Sequence, residues 1–257
     1  MSINATSTVR ELAVSLPGAT RVFELMGIDY CCGGNRTLAD ACQAFNVQIQ
    51  DVARSLEEAG RADHPNDQTI IWQTKSLAAL SSHIVDTHHV FTRQELERLE
   101  KLLDKVCSRH GENHTELPQI QKLFLKLKQD LLQHMLKEEQ VLFPYVKLME
   151  SAIASAGKIP PPFFVTVQNP VRMMMNEHDT AGDLLREMRS ISGNYVPPSD
   201  ACISYQTLYQ ALAEFEADLH QHIHLENNIL FPRAVEMEVQ AEPGWQAMAH
   251  QHQCFGH

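Results

Sequence analysis

His134-Met135-Leu136-Lys137-Glu138-Glu139-Gln140-Val141-Leu142-Phe143-Pro144 and His222-Ile223-His224-Leu225-Glu226-Asn227-Asn228-Ile229-Leu230-Phe231-Pro232 are two copies of one pattern. Each sets a histidine four residues before a glutamate. On an α-helix the imidazole and the carboxylate then leave the same face, one turn apart. Each copy is half of a metal site. Two halves brought together by antiparallel or crossing helices supply the mixed nitrogen and oxygen donors that suit iron or another first-row metal better than magnesium or calcium.

Around the copies, apolar residues recur in steps of four and three. One stripe is Ile120, Phe124, Leu127, Leu131, His134, Glu138, Val141, Tyr145 and Leu148; the other is Leu208, Leu212, Phe215, Leu219, His222, Glu226 and Ile229. The histidine and glutamate interrupt what is otherwise a core stripe. A carboxylate facing such a core costs several kcal/mol unless it is paired or bound to a metal. The pattern predicts an all-α fold, a four-helix bundle. Helix A runs from about Thr74 to Arg109 and stops near Gly111, and helix B from about Pro118 to Ser151. Helix C is capped by Asn169, carries Pro170 in its first turn and ends before Gly193; helix D follows Ser199 or Asp200 and reaches about Val239.

Helices A and C each add a histidine in core register. Along A the stripe is Val85, His89, Thr92, Leu96, Leu99, Leu103 and Val106; along C it is Val171, Met174, His178, Ala181, Leu185 and Met188. His88 lies on a competing stripe with Leu77, Leu80, Ile84 and Phe91, so periodicity leaves His88 and His89 both open. His110 lies roughly 31 Å beyond His89 along a continuous helix, too far to join it. His220 and His224 flank His222 and fall off the core face. The expected metal set is His89, His134, Glu138, His178, His222 and Glu226. With both glutamates bridging, each of two metals has two imidazoles, two carboxylate oxygens, a bridging oxo or hydroxo group and one open position.

Composition limits the alternatives. The net charge of −11 argues against nucleic acid or an anionic membrane as partner. Six cysteines without regular pairing argue against a disulfide framework and for a reducing, cytoplasmic setting. Neither a signal peptide nor a membrane span is expected. Fourteen histidines exceed ordinary usage, and their positions carry the meaning.

The first 60 residues read as a small helical domain, residues 61–72 as a linker, 73–240 as the bundle and 241–257 as a flexible tail. In the first domain, Cys31 and Cys32 sit on a turn flanked by Gly27, Gly33 and Gly34, with Thr37 capping a helix from Leu38. The glycines should leave the sulfurs accessible, and the helix N-terminus should lower a thiol pKa. Such thiols suit redox or metal handling. Two small apolar residues closing a turn is the competing reading, and Cys42 is expected in the core.

Asp29-Tyr30-Cys31-Cys32-Gly33-Gly34, the two copies, and Asn176-Glu177-His178-Asp179 followed by Ala181-Gly182 resemble the RIC family (repair of iron centres), the ScdA- and YtfE-type di-iron proteins. Helices A to D resemble the hemerythrin-like bundle. The resemblance implies His89, not His88, as the ligand, and a non-haem di-iron centre that helps restore iron–sulfur clusters damaged by nitric oxide or oxidative stress. Iron–sulfur proteins or an assembly scaffold are the implied partners, nitric oxide is an implied ligand, and a homodimer stays open. Glu177 beside His178, and Asp130 one turn before His134, match positions that orient ligands or relay protons. Three activities are distinguished: iron donation for repair; nitric oxide reduction with Cys31 and Cys32 as electron entry; and carriage or sensing of nitric oxide or oxygen. The thiol turn weighs against simple carriage. Pro160 to Pro162 marks a lengthened loop between B and C, and the tail adds Trp245, His250, His252, Cys254 and His257.

Overall fold

A computed structural model describes residues 3–61 and 68–241. The tail from residue 242, with its histidines and Cys254, lies outside the described residues, as do 62–67 of the expected linker. Four short helices come first: α1 (Val9–Ser15), α2 (Ala19–Leu25), α3 (Leu38–Ala44) and α4 (Ile49–Arg61). α1 starts from a capping box between Thr8 and Glu11, and α3 from Thr37, whose hydroxyl accepts from the Asp40 amide. Their apolar faces meet in one small core that includes Val9, Phe23, Tyr30, Leu38, Cys42 and Leu56. The end of the expected linker is helical instead, as α5 (Gln68–Thr74).

Three of the four bundle helices contain a π-helical turn. Helix A is α6 (Leu77–His83), π1 (Ile84–His89) and α7 (Val90–His110). Helix B is α8 (Glu116–Lys137), π2 (Glu138–Leu142) and α9 (Phe143–Ala154). Helix C is α10 (Gln168–Ile191), and helix D is α11 (Ile203–His224), π3 (Leu225–Leu230) and α12 (Phe231–Ala241). A π turn inserts one residue into the helical repeat, and such bulges concentrate at functional sites.

The bulges explain where the stripes go. In helix A, Leu77 and Leu80 are buried before π1, Ile84 and His89 at its two ends, and Thr92 and Leu96 after it. The two competing stripes are therefore one face, joined by a five-residue step. In helix B the expected stripe ends early: Val141 is only half-buried and Leu148 is 45% exposed, while Leu142, Phe143, Val146 and Met149 carry the core. Two helix starts also differ. Helix C begins before Asn169, with the Glu238 carboxylate accepting from the Val167 amide at 2.9 Å. Helix D begins after Cys202 rather than Ser199 or Asp200.

The bundle interior is divided. Leu99, Leu103, Phe124, Leu127, Leu185, Leu212 and Phe215 pack at one end, and Leu80, Ile84, Phe143, Val146, Met174 and Phe231 at the other. The expected metal residues fall between these two apolar clusters.

Candidate metal centre

Each copy of the repeat delivers its histidine from the last α-helical turn and its glutamate at the π turn that follows. His134 closes α8 and Glu138 opens π2; His222 lies in the last turn of α11 and Glu226 in π3. Helix A brings His89 at the end of π1, and helix C brings His178 from an unbroken α-helix. All six are at most 2% exposed. Their donor atoms form two groups, His89–Glu138–His222–Glu226 and His134–Glu138–His178–Glu226. Both carboxylates belong to both groups.

The contacts are those of side chains converging on something. His134 Nε2 and His178 Nε2 face one another at 2.9 Å. Glu138 Oε2 lies 3.3 Å from both His89 Nε2 and His134 Nε2, and Glu226 lies 3.2 Å from His178 Nε2 and 3.1 Å from His222 Nε2. Even so, His89 Nε2, both oxygens of Glu138 and Glu226 Oε2 are buried without a hydrogen-bond partner. Buried polar atoms are nearly always satisfied, so orphans aimed at one point fit a metal between them. Electrostatics agree. Burial disfavours the imidazolium of His134, but Glu138, Glu177 and Glu226 outweigh it and push its pKa up to about 10. Two buried carboxylates demand positive charge, and protons meet that demand when a cation does not.

The remainder of each copy clamps a histidine from another helix. In the first copy, Glu139 accepts from His89 Nδ1 at 2.7 Å, and the Phe143 ring stacks on His89 with centroids 5.9 Å apart. In the second, Asn227 accepts from His178 Nδ1 at 2.8 Å, and Phe231 stacks on His178, also at 5.9 Å. The residue after the glutamate and the phenylalanine thus fix tautomer and ring plane together. Sequence reasoning missed Glu139 and Asn227, although their matching places in the repeat were the available signal. Arg93 pairs with Glu139 at 2.6 Å, and Lys137 pairs with Glu177.

Glu177 lies 2.9 Å from His134 Nδ1, whose hydrogen bond, ahead of that from Lys137, holds its carboxyl down at about 2. Asp130 has no such contact: Leu127 and Leu131 take the buried face at this turn, and Asp130 sits partly exposed at its edge, paired with Lys126. His88 is buried beside the centre, 3.0 Å from Asp218 Oδ1 and stacked parallel to His222. His110 lies in the distal end of the bundle against Cys202. His224 corrects the reading that it faces away from the core: it is fully buried, and its partners are Thr69, Asn228 and the Tyr30 ring. His220 edges onto the same Tyr30 and lies 3.7 Å from Glu24.

The amino-terminal domain packs over the second copy. Asn227 donates to the Cys31 carbonyl at 3.1 Å and Asn228 to the Tyr30 carbonyl at 2.9 Å, while Arg10 donates to Asn228. Asp29 Oδ1 accepts from the amides of both cysteines, and Arg186 reaches Asp29 Oδ2. The thiols are less open than expected. Cys31 is 3% exposed, and its pKa is raised by its contact with Cys32, then by burial and by the neighbouring Asp29 carboxylate. Cys32 is partly exposed and lies against the His178 carbonyl; a Cβ at Gly182 would stand 3.3 Å from Arg186 Nη1 and 3.4 Å from the Cys32 sulfur. Asp29, Cys31 and Cys32 form a third group of donor atoms within ligating distance of one another.

Residues 5–60 match the ScdA_N domain of unknown function, and 80–161 with 165–257 match the hemerythrin HHE cation binding domain. A Haemophilus influenzae protein named "Probable iron-sulfur cluster repair protein" is 37% identical over 90% of this chain and 97% of its own length. The chain belongs to the YtfE-type family of hemerythrin-like proteins. Members named "Iron-sulfur cluster repair protein YtfE" from Yersinia pseudotuberculosis and Citrobacter koseri are each 34% identical, over 88% and 89% of this chain and 96% of their own lengths. The family's cation-binding domain and the buried His/Glu groups point together to metal binding between the two apolar clusters of the bundle. No helix among the described residues is long and apolar enough to cross a membrane.

Proposed function

We propose that this chain restores iron–sulfur clusters damaged by nitric oxide or oxidative stress, by giving up iron held as a non-haem pair. The observation that carries it is the pair of buried His₂Glu₂ groups sharing both carboxylates, with unsatisfied donor atoms turned inward. The family members named as cluster repair proteins support the direction of the chemistry. In this reading His89 and His222 would hold one iron and His134 and His178 the other, Glu138 and Glu226 would serve both, and the pair would carry an oxo or hydroxo bridge. Bound iron supplies the cargo and an open position for nitric oxide.

The chain's own residues set how tightly the cargo is held. Glu139, Glu177 and Asn227 keep three imidazoles in the tautomer that leaves Nε2 free for metal. Protonation of those imidazoles competes with metal, so acid promotes release. Residues 1–60 act as the docking unit for the recipient, a damaged cluster protein or an assembly scaffold in the cytoplasm. Its Cys31 and Cys32 lie one Asn227 side chain away from His178. The test is anaerobic: the iron-loaded protein is mixed with an apo cluster scaffold, sulfide and a reductant, and both are separated. Iron should move to the scaffold and a cluster chromophore should form. Iron that stays with the protein overturns the proposal.

A further inference from the structure

Outside the His/Glu layer, the described residues hold one more group of close donor atoms, Asp29, Cys31 and Cys32. It lies on the turn before α3, where the amino-terminal domain meets helices C and D. Its spacings are those of donors around a tetrahedral ion. Two sulfurs bound at about 2.3 Å stand about 3.8 Å apart across a tetrahedron, and such a sulfur and an oxygen bound at about 2.0 Å stand about 3.5 Å apart. Cys31 Sγ lies 3.8 Å from Cys32 Sγ and 3.4 Å from Asp29 Oδ1. All three donor atoms lie within 4.8 Å of one another. The Cys31 thiol already donates to Oδ1, so an ion between them takes the place of that hydrogen.

The surroundings fix these donors and leave a way in. Asp29 Oδ1 also accepts from the amides of Cys31 and Cys32 at 3.1 and 2.9 Å, and Arg186 donates to Oδ2 at 3.1 Å. Cys32 is partly exposed, and a cavity of about 40 Å³ opens beside it, lined by all three residues with Arg186 and His220. A water as fourth ligand needs about 15 Å³ of such space. We infer that Asp29, Cys31 and Cys32 form a mononuclear site for a divalent, thiophilic cation. This goes beyond the paired-iron reading and uses none of its ligands. Uptake forms two metal–sulfur bonds and releases both thiol protons to water. Two thiolates and a carboxylate then leave one negative charge on the site, which the Arg186 guanidinium faces. Thiolate ligands favour Zn²⁺ and Co²⁺ over Fe²⁺. Three protein donors are also one fewer than either half of the buried pair offers, so ferrous iron fills the pair first.

The test uses the full chain, reduced and metal-free, titrated with Co²⁺ under anaerobic conditions and followed in the near ultraviolet. Thiolates give bound cobalt an intense sulfur-to-metal charge-transfer band there, which imidazoles and carboxylates do not. Wild type should develop this band to the amount of one Co²⁺ per chain, and Zn²⁺ should displace it. Cys31→Ser and Cys32→Ser should each lower the band, the double variant should lose it, and Cys42→Ser and Cys254→Ser should keep it whole. Asp29→Asn keeps an oxygen for the two amides but loses the charge. It should release this Co²⁺ to a chelator more than about ten times faster, beyond the least cost of removing an outer partner. Where Cys31→Ser does not fold, Cys32→Ser, at a partly exposed position, decides alone. The Glu138→Ala, Glu226→Ala double variant should keep the band, which separates failure of this site from failure of the paired-iron reading. No band in folded wild type overturns the inference. So does a band undiminished in Cys32→Ser, a band lost in Cys254→Ser, or release from Asp29→Asn at the wild-type rate.

Discussion

The two copies of the His-to-Pro stretch do the same work in opposite surroundings. The first, His134 to Pro144, has one side in water: Leu136 is 41% exposed, and Glu139 is only partly buried. The second, His222 to Pro232, lies under the amino-terminal domain and α5, and every residue from His222 to Phe231 is buried. The outer partners differ accordingly. Where water reaches, His89 and His134 are backed by carboxylates, each neutralised by Arg93 or Lys137. Where it does not, His178 is backed by neutral Asn227, because an unpaired buried carboxylate costs several kcal/mol. Burial by a second domain thus selects amide over acid at equivalent places, and it ties the centre to the Cys31 carbonyl in the same step.

Removing what the copies share should have the largest effect. Glu138→Ala and Glu226→Ala each take away a carboxylate common to both groups, and metal content after gel filtration should fall to background in both. Retained metal in either would break the symmetry of the reading. Next come the stacked rings. Phe143→Ala and Phe231→Ala each open a buried cavity and should cost about 3–5 kcal/mol in chemical denaturation. The two should also loosen metal, because each frees one histidine.

The outer partners follow, and here the copies should part. Glu177→Ala and Asn227→Ala are each expected to weaken metal binding about 10–100-fold. Only Asn227→Ala should also raise the alkylation rate of Cys31, since Asn227, unlike Glu177, bonds to that turn. Equal thiol reactivity in the two variants would remove the coupling between the domain and the centre.

Acidity sharpens the exposed side. In the metal-free protein the folded pKa of His134, about 10, lies above its ordinary value of 6.5. Its contribution to stability is therefore complete below 6.5 and is lost as pH rises through 10. Glu177 has the opposite sign: lowered to about 2 from 4.5, it stabilises above 4.5 and ceases to as pH falls through 2. Between pH 6 and 9 the apoprotein's Tm should fall while its affinity for iron rises, because metal displaces the His134 proton. Glu177→Gln should flatten both trends. The smallest effect belongs to the surface: Asp130→Ala should change stability by no more than about 0.5 kcal/mol and leave metal content alone.

Much of this was legible in the residues. A histidine and a glutamate interrupting an apolar stripe twice can be counted, and so can one histidine each on A and C. The π turns were not legible, since a one-residue insertion leaves no mark in composition; they moved the stripe off Val141 and Leu148 and merged the two stripes of helix A. The fates of Asp130 and His224 depend on what lies across from them, solvent for one and Tyr30 for the other. Local pattern carries no such information. Cys31 was misjudged for the same reason: its glycines promised access, but one of the bundle's apolar clusters and Asn227 lie against it.

Anaerobic titration of metal-free protein with ferrous iron, followed by Mössbauer spectroscopy, tests the central claim most directly. The account predicts a sharp break at two irons per chain, with two equally populated non-haem sites that couple magnetically on oxidation. A break at one iron, two uncoupled ions, or an unchanged titration in the Glu138→Ala, Glu226→Ala double variant would contradict it.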